Sequence, residues 1–391
     1  MPKRPDFLSL LAPIGLCVML TEAAPDFNLI GYGAVSGGGV NTTTGGAGGK
    51  TVTIKTLAEL EAWAADREKN TNPEVAVISG KISSSATVLI TIKNGANITI
   101  QGEGQAGELQ NVGLNIRDYG NVIVQNLKIH EVLYPNDAVT LDNVQHGWIS
   151  RCELYSKIGE GITVDTYDGL LDIKKGSAFI TVSWNYLHHH MKCSLIGHSD
   201  NTGQLEEDSG IRVTYHHNWF SHTDGRNPSL RFGAVHMFNN YFDNIPDYGI
   251  AVRDGGHAKL ENNVYHNVKL PMSTDKFPVD GLPNGHICES GNVLSGTTGA
   301  KVISRTGCDF WTASSLPYAY PVDPIATVEA EVRHNAGFGN NQVTGIIRVK
   351  SQNPGGNRLD APRFDLAGKF RSGAQPGFLK GYSGLLIRMR N

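Results

Sequence analysis

Two arginines five positions apart, Arg226 and Arg231, stand in the stretch VTYHHNWFSHTDGRNPSLRFG (213–233), where an alternating strand runs into a polar turn. Pro228 between them fixes its own φ and has no N–H for a strand ladder. The strand is therefore expected to end there and the chain to turn, lifting both guanidinium groups out of the scaffold. Such a turn suits an anionic ligand. Asp168 and Asp172 lie four apart in YDGLLDIKKG, and on an extended strand that spacing puts them on one face. Asp137 stands earlier, in NDAVTL, at a distance that fits one enlarged coil of the repeat described below. Any one of these residues alone is most often an ordinary surface charge. If the three carboxylates converge, they need a cation or a shared proton, because like charges about 4 Å apart repel by about 4 kcal/mol near a protein surface. An all-oxygen ligand set selects a hard ion. Ca²⁺ is the expected one, since it tolerates irregular geometry completed by water or by a ligand carboxylate.

The elements that must position these groups show in a recurring asparagine. Short, largely apolar runs close at Asn126 (VIVQN), Asn185 (VSWN), Asn218 (TYHHN), Asn240 (MFNN) and Asn263 (LENN). Asn218 and Asn240 are 22 residues apart and Asn240 and Asn263 are 23 apart; longer gaps fit the same coil with insertions. A coil of that length accommodates three short strands and three turns, so successive coils can stack as a parallel β-helix with the asparagines in a ladder, their amides bonding turn backbone and one another. A propeller blade needs about 40 residues, and a sandwich does not explain the asparagine phase. The expected fold is all-β, a right-handed single-stranded parallel β-helix. At its start TLAELEAWAADR (56–67) reads as a capping helix, with Thr56 and Glu59 forming a capping box and Leu57, Leu60 and Trp63 on one face. Asp168, Lys192, Arg226 and Arg253 follow one another at intervals near enough to coil lengths to predict a column.

The 391 residues carry a formal charge of −3, which gives no bias toward nucleic acid. Residues 1–24 have secretory leader layout: Lys3 and Arg4 ahead of a short apolar run, then small residues near Ala23. The run is too short to span a bilayer and no second one follows, so a secreted protein is expected, not a membrane protein. Beyond the leader are four cysteines. Cys288 and Cys308 enclose a short glycine-containing loop and are the favoured bridge, while Cys152 and Cys193 read as buried thiols. Asn41 and Asn97 head glycosylation triplets by pattern, which are common by chance.

The segments YDGLLDIKKGSAFITVSWNYLHHHMKCSLIGHSD (167–200) and 213–242 together resemble the paired signatures of the pectate lyase family, polysaccharide lyase family one. The resemblance covers about 28–339, including YPVDPIATVEAEVRHNAGFG near its end. It implies a right-handed parallel β-helix acting on polygalacturonate with Ca²⁺, a lyase domain at 25–339, and a monomer whose partner is plant cell-wall pectin. By position in the signatures, Asp137, Asp168 and Asp172 resemble the calcium ligands, Arg226 the catalytic base, and Lys192 and Arg231 the contacts to substrate carboxylates. The chain departs from the family in two places. Pro135 stands where some members have a further calcium aspartate, and Ser150-Arg151 replaces the usual Asp-His after Trp148-Ile149. The C-terminal segment 340–391 resembles nothing in the family. It holds nine Lys or Arg against two Asp and forms a basic extension of disordered or wall-binding composition.

The implied reaction is β-elimination of polygalacturonate to 4,5-unsaturated oligogalacturonides. Arginine is an awkward base at a pKa above about 12, and neighbouring cations would have to favour its neutral form. His190, His216, His217 and His222 lie nearby as more usual bases, and at least one of His216 and His217 is expected to face inward. The competing readings are a calcium-independent pectin lyase, which replaces the calcium carboxylates with arginine, and a non-catalytic carbohydrate-binding solenoid. A glycoside hydrolase would need paired carboxylates as acid and base, and the acidic pairs here belong to the cation cluster.

Overall fold

The computed structural model describes residues 26–339. The expected leader (1–24) and basic extension (340–391) lie outside the described residues. Short strands wind as a right-handed parallel β-helix, each coil contributing one strand to each of three stacks. In one coil these are Arg212–His216, Trp219–Gly225 and Ser229–Arg231; the next coil supplies Ala234–Phe238, Tyr241–Ile245 and Ile250–Arg253 directly above them. The register carries on from coil to coil, as in Phe220↔Phe242↔Tyr265. Equivalent inward positions therefore fall on one another: Phe220 stacks on Phe242 at 4.9 Å between ring centroids and Phe242 on Tyr265 at 4.4 Å. Each such buried side chain contributes roughly 1.5–3 kcal/mol through removal of apolar surface from water. The inward residues form one continuous core running the length of the helix.

The ladder is built from Asn185, Asn218, Asn240, Asn263 and Asn292. Each side-chain amide donates to the next oxygen at 2.9–3.0 Å. Each Nδ2 also reaches a backbone carbonyl, for instance Asn240 to Tyr215 O at 2.9 Å. The residue before each rung from Asn185 to Asn263 turns the corner in the left-handed region: Trp184, His217, Asn239 and Asn262, with φ of 58, 55, 53 and 47°. Asn126 corrects the expected ladder. Its φ of 48° places it at the corner, one residue ahead of the rung, and its amide bonds Gly102 O and Gly104 O instead of another asparagine. Cys152 takes the rung below Asn185, its N–H donating to Asn185 Oδ1 at 2.9 Å. The Ser150-Arg151 departure is accommodated by packing: Ser150 is buried beside the Ser183 hydroxyl that accepts from Trp148 Nε1, and the buried Arg151 guanidinium lies 5.7 Å from the Phe27 ring.

Leu57–Asp66 forms the capping helix, with the reciprocal Thr56–Glu59 bonds of a capping box, and it buries Leu60, Trp63 and Ala64. Beside the single turn Leu205–Asp208, a longer helix, Ile325–Asn335, departs from the expectation; its Val328 and Val332 pack against Tyr241 and Val264 on the outside of the coils. Cys288 and Cys308 are bonded, while Cys152 and Cys193 are buried thiols. No helix among the described residues is long and apolar enough to cross a membrane.

Candidate active site

Most of the candidate residues lie on one outer sheet or at the corners that enter it, while Lys192 ends a strand of the neighbouring stack, Tyr186–Lys192. In the outer sheet's strand Leu171–Lys174, the alternation sends Leu171 and Ile173 into the core and leaves Asp172 and Lys174 facing outward. Pairing aligns Thr140, Asp172, Leu195, Ser229 and Ala251 in one row. Two residues further along, Asp142 aligns with Lys174 and Arg231 with Arg253; Gly197, whose N–H bonds Ile173 O, stands between Lys174 and Arg231. Strand spacing of about 4.8 Å thus sets three cations, Lys174, Arg231 and Arg253, in a line along the helix axis. This differs from the expected column, because Arg253 sits across from Arg231 and not from Arg226.

Asp137 and Asp172 are both buried and point at the same spot. Asp137 accepts from Gly169 N at 2.8 Å and Thr140 Oγ1 at 2.7 Å, and Asp172 accepts from Leu195 N at 3.2 Å. Lys174 Nζ lies between them, 3.0 Å from Asp137 Oδ2 and 3.2 Å from Asp172 Oδ2. Gly169 makes the convergence possible: a Cβ there would fall 2.6 Å from Asp172 Oδ1 and 2.8 Å from Asp137 Oδ1. Burial, reinforced by the Asp137 charge, pushes the Asp172 carboxyl up to about 7, with Lys174 and Arg226 opposing the rise. Burial also disfavours the Lys174 charge, but the two carboxylates outweigh it and hold the ammonium above its usual range. Lys174 went unnoticed in the sequence, although its two-residue spacing from Asp172 puts it on the same face.

Asp168 does not join the pair. It precedes the strand Leu171–Lys174, so four-residue strand spacing does not apply to it, and its partly exposed carboxylate accepts from Lys192 Nζ at 2.8 Å. Lys192 Nζ also stands 5.8 Å from the centre of the exposed Tyr134 ring. The expected threefold convergence is thus two buried carboxylates with a third held aside by a lysine. Among the described residues, the group with three candidate metal ligands within 4.8 Å of one another is His217, Asp323 and Glu331. It lies elsewhere, where His217 of the coil meets the C-terminal helix segment.

Arg226 occupies the corner between Trp219–Gly225 and Ser229–Arg231 with φ of 59°, and its carbonyl accepts from Ser194 N at 2.6 Å. No carboxylate among the described residues pairs with its half-buried guanidinium. Arg231 is engaged: Nε donates to Asp200 Oδ1, as does Arg253 Nη2 at 2.6 Å, and Arg231 Nη1 donates to Gly197 O at 2.9 Å. The histidines are engaged elsewhere: the exposed His222 has Nδ1 2.8 Å from Ser221 Oγ and its ring stacked on His189. His190 is buried and accepts the Lys192 N–H on Nδ1; burial, then the Lys192 charge, pushes its pKa down to about 3, so it is neutral. His216 is enclosed and, by burial, held well below the usual range, while His217 Nε2 lies 2.7 Å from Asp323.

A right-handed parallel β-helix with buried paired carboxylates and a line of cations on one outer sheet has the make-up of a solenoid acting on an acidic polymer. Comparison with known proteins narrows that class. The family model described as pectate lyase matches residues 7–341. The pectate trisaccharide-lyase of Bacillus licheniformis is 37% identical over 318 residues, covering 80% of this chain and 87% of that protein. Probable pectate lyase B of Aspergillus flavus is 36% identical over 311 residues, covering 79% and 88%. Among solved structures, a pectate lyase from Bacillus sp. N165 in complex with trigalacturonate superposes with a TM-score of 0.68 at 32% identity, covering 79% of this chain and 98% of that one. The chain belongs to the pectate lyase family and is a polysaccharide lyase.

Proposed function

We propose that the protein is a secreted, monomeric, calcium-dependent pectate lyase that cleaves the α-1,4-polygalacturonate of plant cell-wall pectin by β-elimination. The observation that carries this reading is an arginine without a carboxylate partner among the described residues, Arg226, at the corner beside the Asp137–Asp172 pair and a line of cations. The pair can take a hard cation once the Lys174 ammonium, seated between the two carboxylates, moves aside: the donors are all carboxylate oxygens, burial and mutual repulsion have already raised one of them, and Gly169 sets no Cβ against them. Asp137 and Asp172 would hold Ca²⁺, with Asp168 at the rim. Bound there, the ion supplies charge neutralisation to a substrate carboxylate.

The chain's own residues do the rest. Lys192 and Arg231 bind uronate carboxylates, fix the register of the sugar and stabilise the charge that builds on the C6 carboxylate as C5 loses its proton. An Arg226 nitrogen takes that proton. The C5–H electron pair forms the C4–C5 double bond, the C4–O bond breaks, and the departing oxygen takes up a proton, leaving a 4,5-unsaturated end with no water consumed. A guanidinium must first be neutral to act so, because its protonated form has no lone pair to accept the C5 proton.

The test is the rate of ultraviolet absorbance increase from unsaturated product, measured on purified protein with polygalacturonate in the presence and absence of chelator. Abolished activity with an unaltered circular dichroism spectrum is the expected result. Activity indifferent to chelator would make the protein a pectin-lyase-type enzyme, and retention on polygalacturonate without product would make it a binding solenoid.

A further inference from the structure

The two aligned arginines are closed by a carboxylate that comes from outside the sheet. Asp200 lies on the connection that leaves the strand Ser194–Ile196, and a single oxygen, Oδ1, accepts from both Arg231 Nε and Arg253 Nη2. Its side chain is 40% exposed, whereas both guanidinium-bearing side chains are largely covered, at 13% and 12%. Behind them Asp254 is 1% exposed, with Oδ2 at 3.7 Å from Arg231 Nε and 3.4 Å from Arg253 Nε. That oxygen finds no donor and Arg253 Nε no acceptor; the Asp254 carboxyl also meets that of Asp200, and burial, then this contact, push it up to about 6. Asp254 therefore backs the pair from the protein side, while Asp200 covers it from the solvent side.

The two acids differ in what each can do. Asp254 is fixed by the coil, one residue after Arg253 at the end of a core strand. Asp200 belongs to an insertion, and its Oδ1 stands where an incoming carboxylate would place an oxygen, between two donors on neighbouring coils. Arg231 also keeps its Nη1 bond to Gly197 O, so the guanidinium would stay oriented if Asp200 left.

We propose that Asp200 is a displaceable stand-in for a substrate carboxylate. It occupies the Arg231–Arg253 site in the free protein and exchanges with a uronate carboxylate on binding, so that it sets the affinity of this part of the cleft. The proposal rests on the reading that Arg231 receives substrate carboxylates. Removal of so exposed an ion-pair partner should shift an affinity by about two- to fivefold, which is about 0.4–1 kcal/mol.

The experiment is steady-state kinetics on polygalacturonate for Asp200→Asn, Asp200→Glu and Asp254→Asn. Asp247→Asn serves as the charge control, since it removes one negative charge from an acid paired with Lys276. Asp200→Asn should lower KM by about two- to fivefold with kcat unchanged, Asp200→Glu should stay near wild type, and Asp254→Asn should raise KM because the arginines lose their inner support. An Asp200→Asn KM that is unchanged or higher overturns the proposal, the latter making Asp200 a positioning residue. The same fall for Asp247→Asn would reduce the effect to net charge and also overturn it. Wild-type protein that yields no unsaturated product would defeat the lyase reading instead, and binding of trigalacturonate by calorimetry would still report whether Asp200→Asn binds more tightly.

Discussion

Replacing Asp172 by asparagine should make the calcium-free protein more stable at alkaline pH while removing its response to calcium. Asp172 is enclosed, and its carboxyl is raised from an ordinary 3.8 to about 7. The folded state therefore binds this proton more tightly than the unfolded chain does. Stability from this group is fully present below about pH 4 and is lost as pH rises toward 7. At about 1.36 kcal/mol per unit, keeping Asp172 ionised in the ion-free fold costs about 4 kcal/mol at pH 8 as an upper bound. Asparagine removes that cost and can still accept from Leu195 N; the Lys174 attraction it gives up is already included in that cost, of which relaxation around the charge in the ion-free fold leaves a part. The net expectation is a gain of about 1–3 kcal/mol at pH 8 and none near pH 4, or roughly 2–6 °C in apparent melting temperature. Scanning calorimetry at one fixed rate, in chelator, reads the first part. A calcium titration at pH 8 reads the second: a ligand at a hundredfold its Kd stabilises the wild type by about 2.7 kcal/mol, and Asp172→Asn should lose most of that. A variant less stable than wild type at pH 8 in chelator, or one keeping the full calcium response, would refute the reasoning.

Arg226→Lys keeps a positive charge but moves the nitrogen that takes the proton, so kcat should fall by about 10²–10⁴-fold with KM little changed; Arg231→Lys should chiefly raise KM, and near-native kcat in Arg226→Lys would send the base elsewhere. Asn240→Ala removes the acceptor of both the Asn218 backbone N–H and its Nδ2, together with its own bonds to Tyr215 O and Asn263. Several buried groups left unpaired should cost about 3–5 kcal/mol in denaturant unfolding, and a loss below about 1 kcal/mol would show that the ladder is not what holds that corner.

The coil was legible because one side-chain type recurs where the backbone must bend, and so short and regular a repeat leaves few architectures. Its phase was less so. Asparagine suits two adjacent places, the left-handed corner and the rung after it, and the sequence alone does not say which one Asn126 occupies; Asn239 and Asn240 fill both. Asn292 escaped notice because glycine, Gly291, takes the corner before it. The carboxylates and arginines could be found by type and spacing, but their grouping followed the exact coil length. Arg231 and Arg253 are separated by the same interval as Asn218 and Asn240, and they pair; Arg226 and Arg253, further apart than that, do not. Asp200 had no such signal, since it lies in an insertion where periodicity says nothing. The helix Ile325–Asn335 is short, follows Pro324 and buries Val328, Val332 and Asn335, only two of them apolar, which left little amphipathic pattern to detect.

These placements bear on how such a face handles an acidic polymer. Lys174 already holds Asp137 and Asp172, Lys192 holds Asp168, and Arg231 and Arg253 share Asp200. A row of bare, half-buried cations would repel itself and carry a heavy desolvation penalty. Internal neutralisation avoids that, and on the proposed reading it turns substrate binding into an exchange of one carboxylate for another in which the number of ion pairs is conserved. Little net energy is then gained at any single contact, so affinity has to accumulate over several sugars, and discrimination comes from whether successive carboxylates match the spacing of the coils. Arg226 stands outside this exchange, with no carboxylate among the described residues in ion-pair contact. On the proposed reading this division fits Arg226 as the base and its neighbours as binding groups, since each of the other four cations already holds a carboxylate that a uronate can replace.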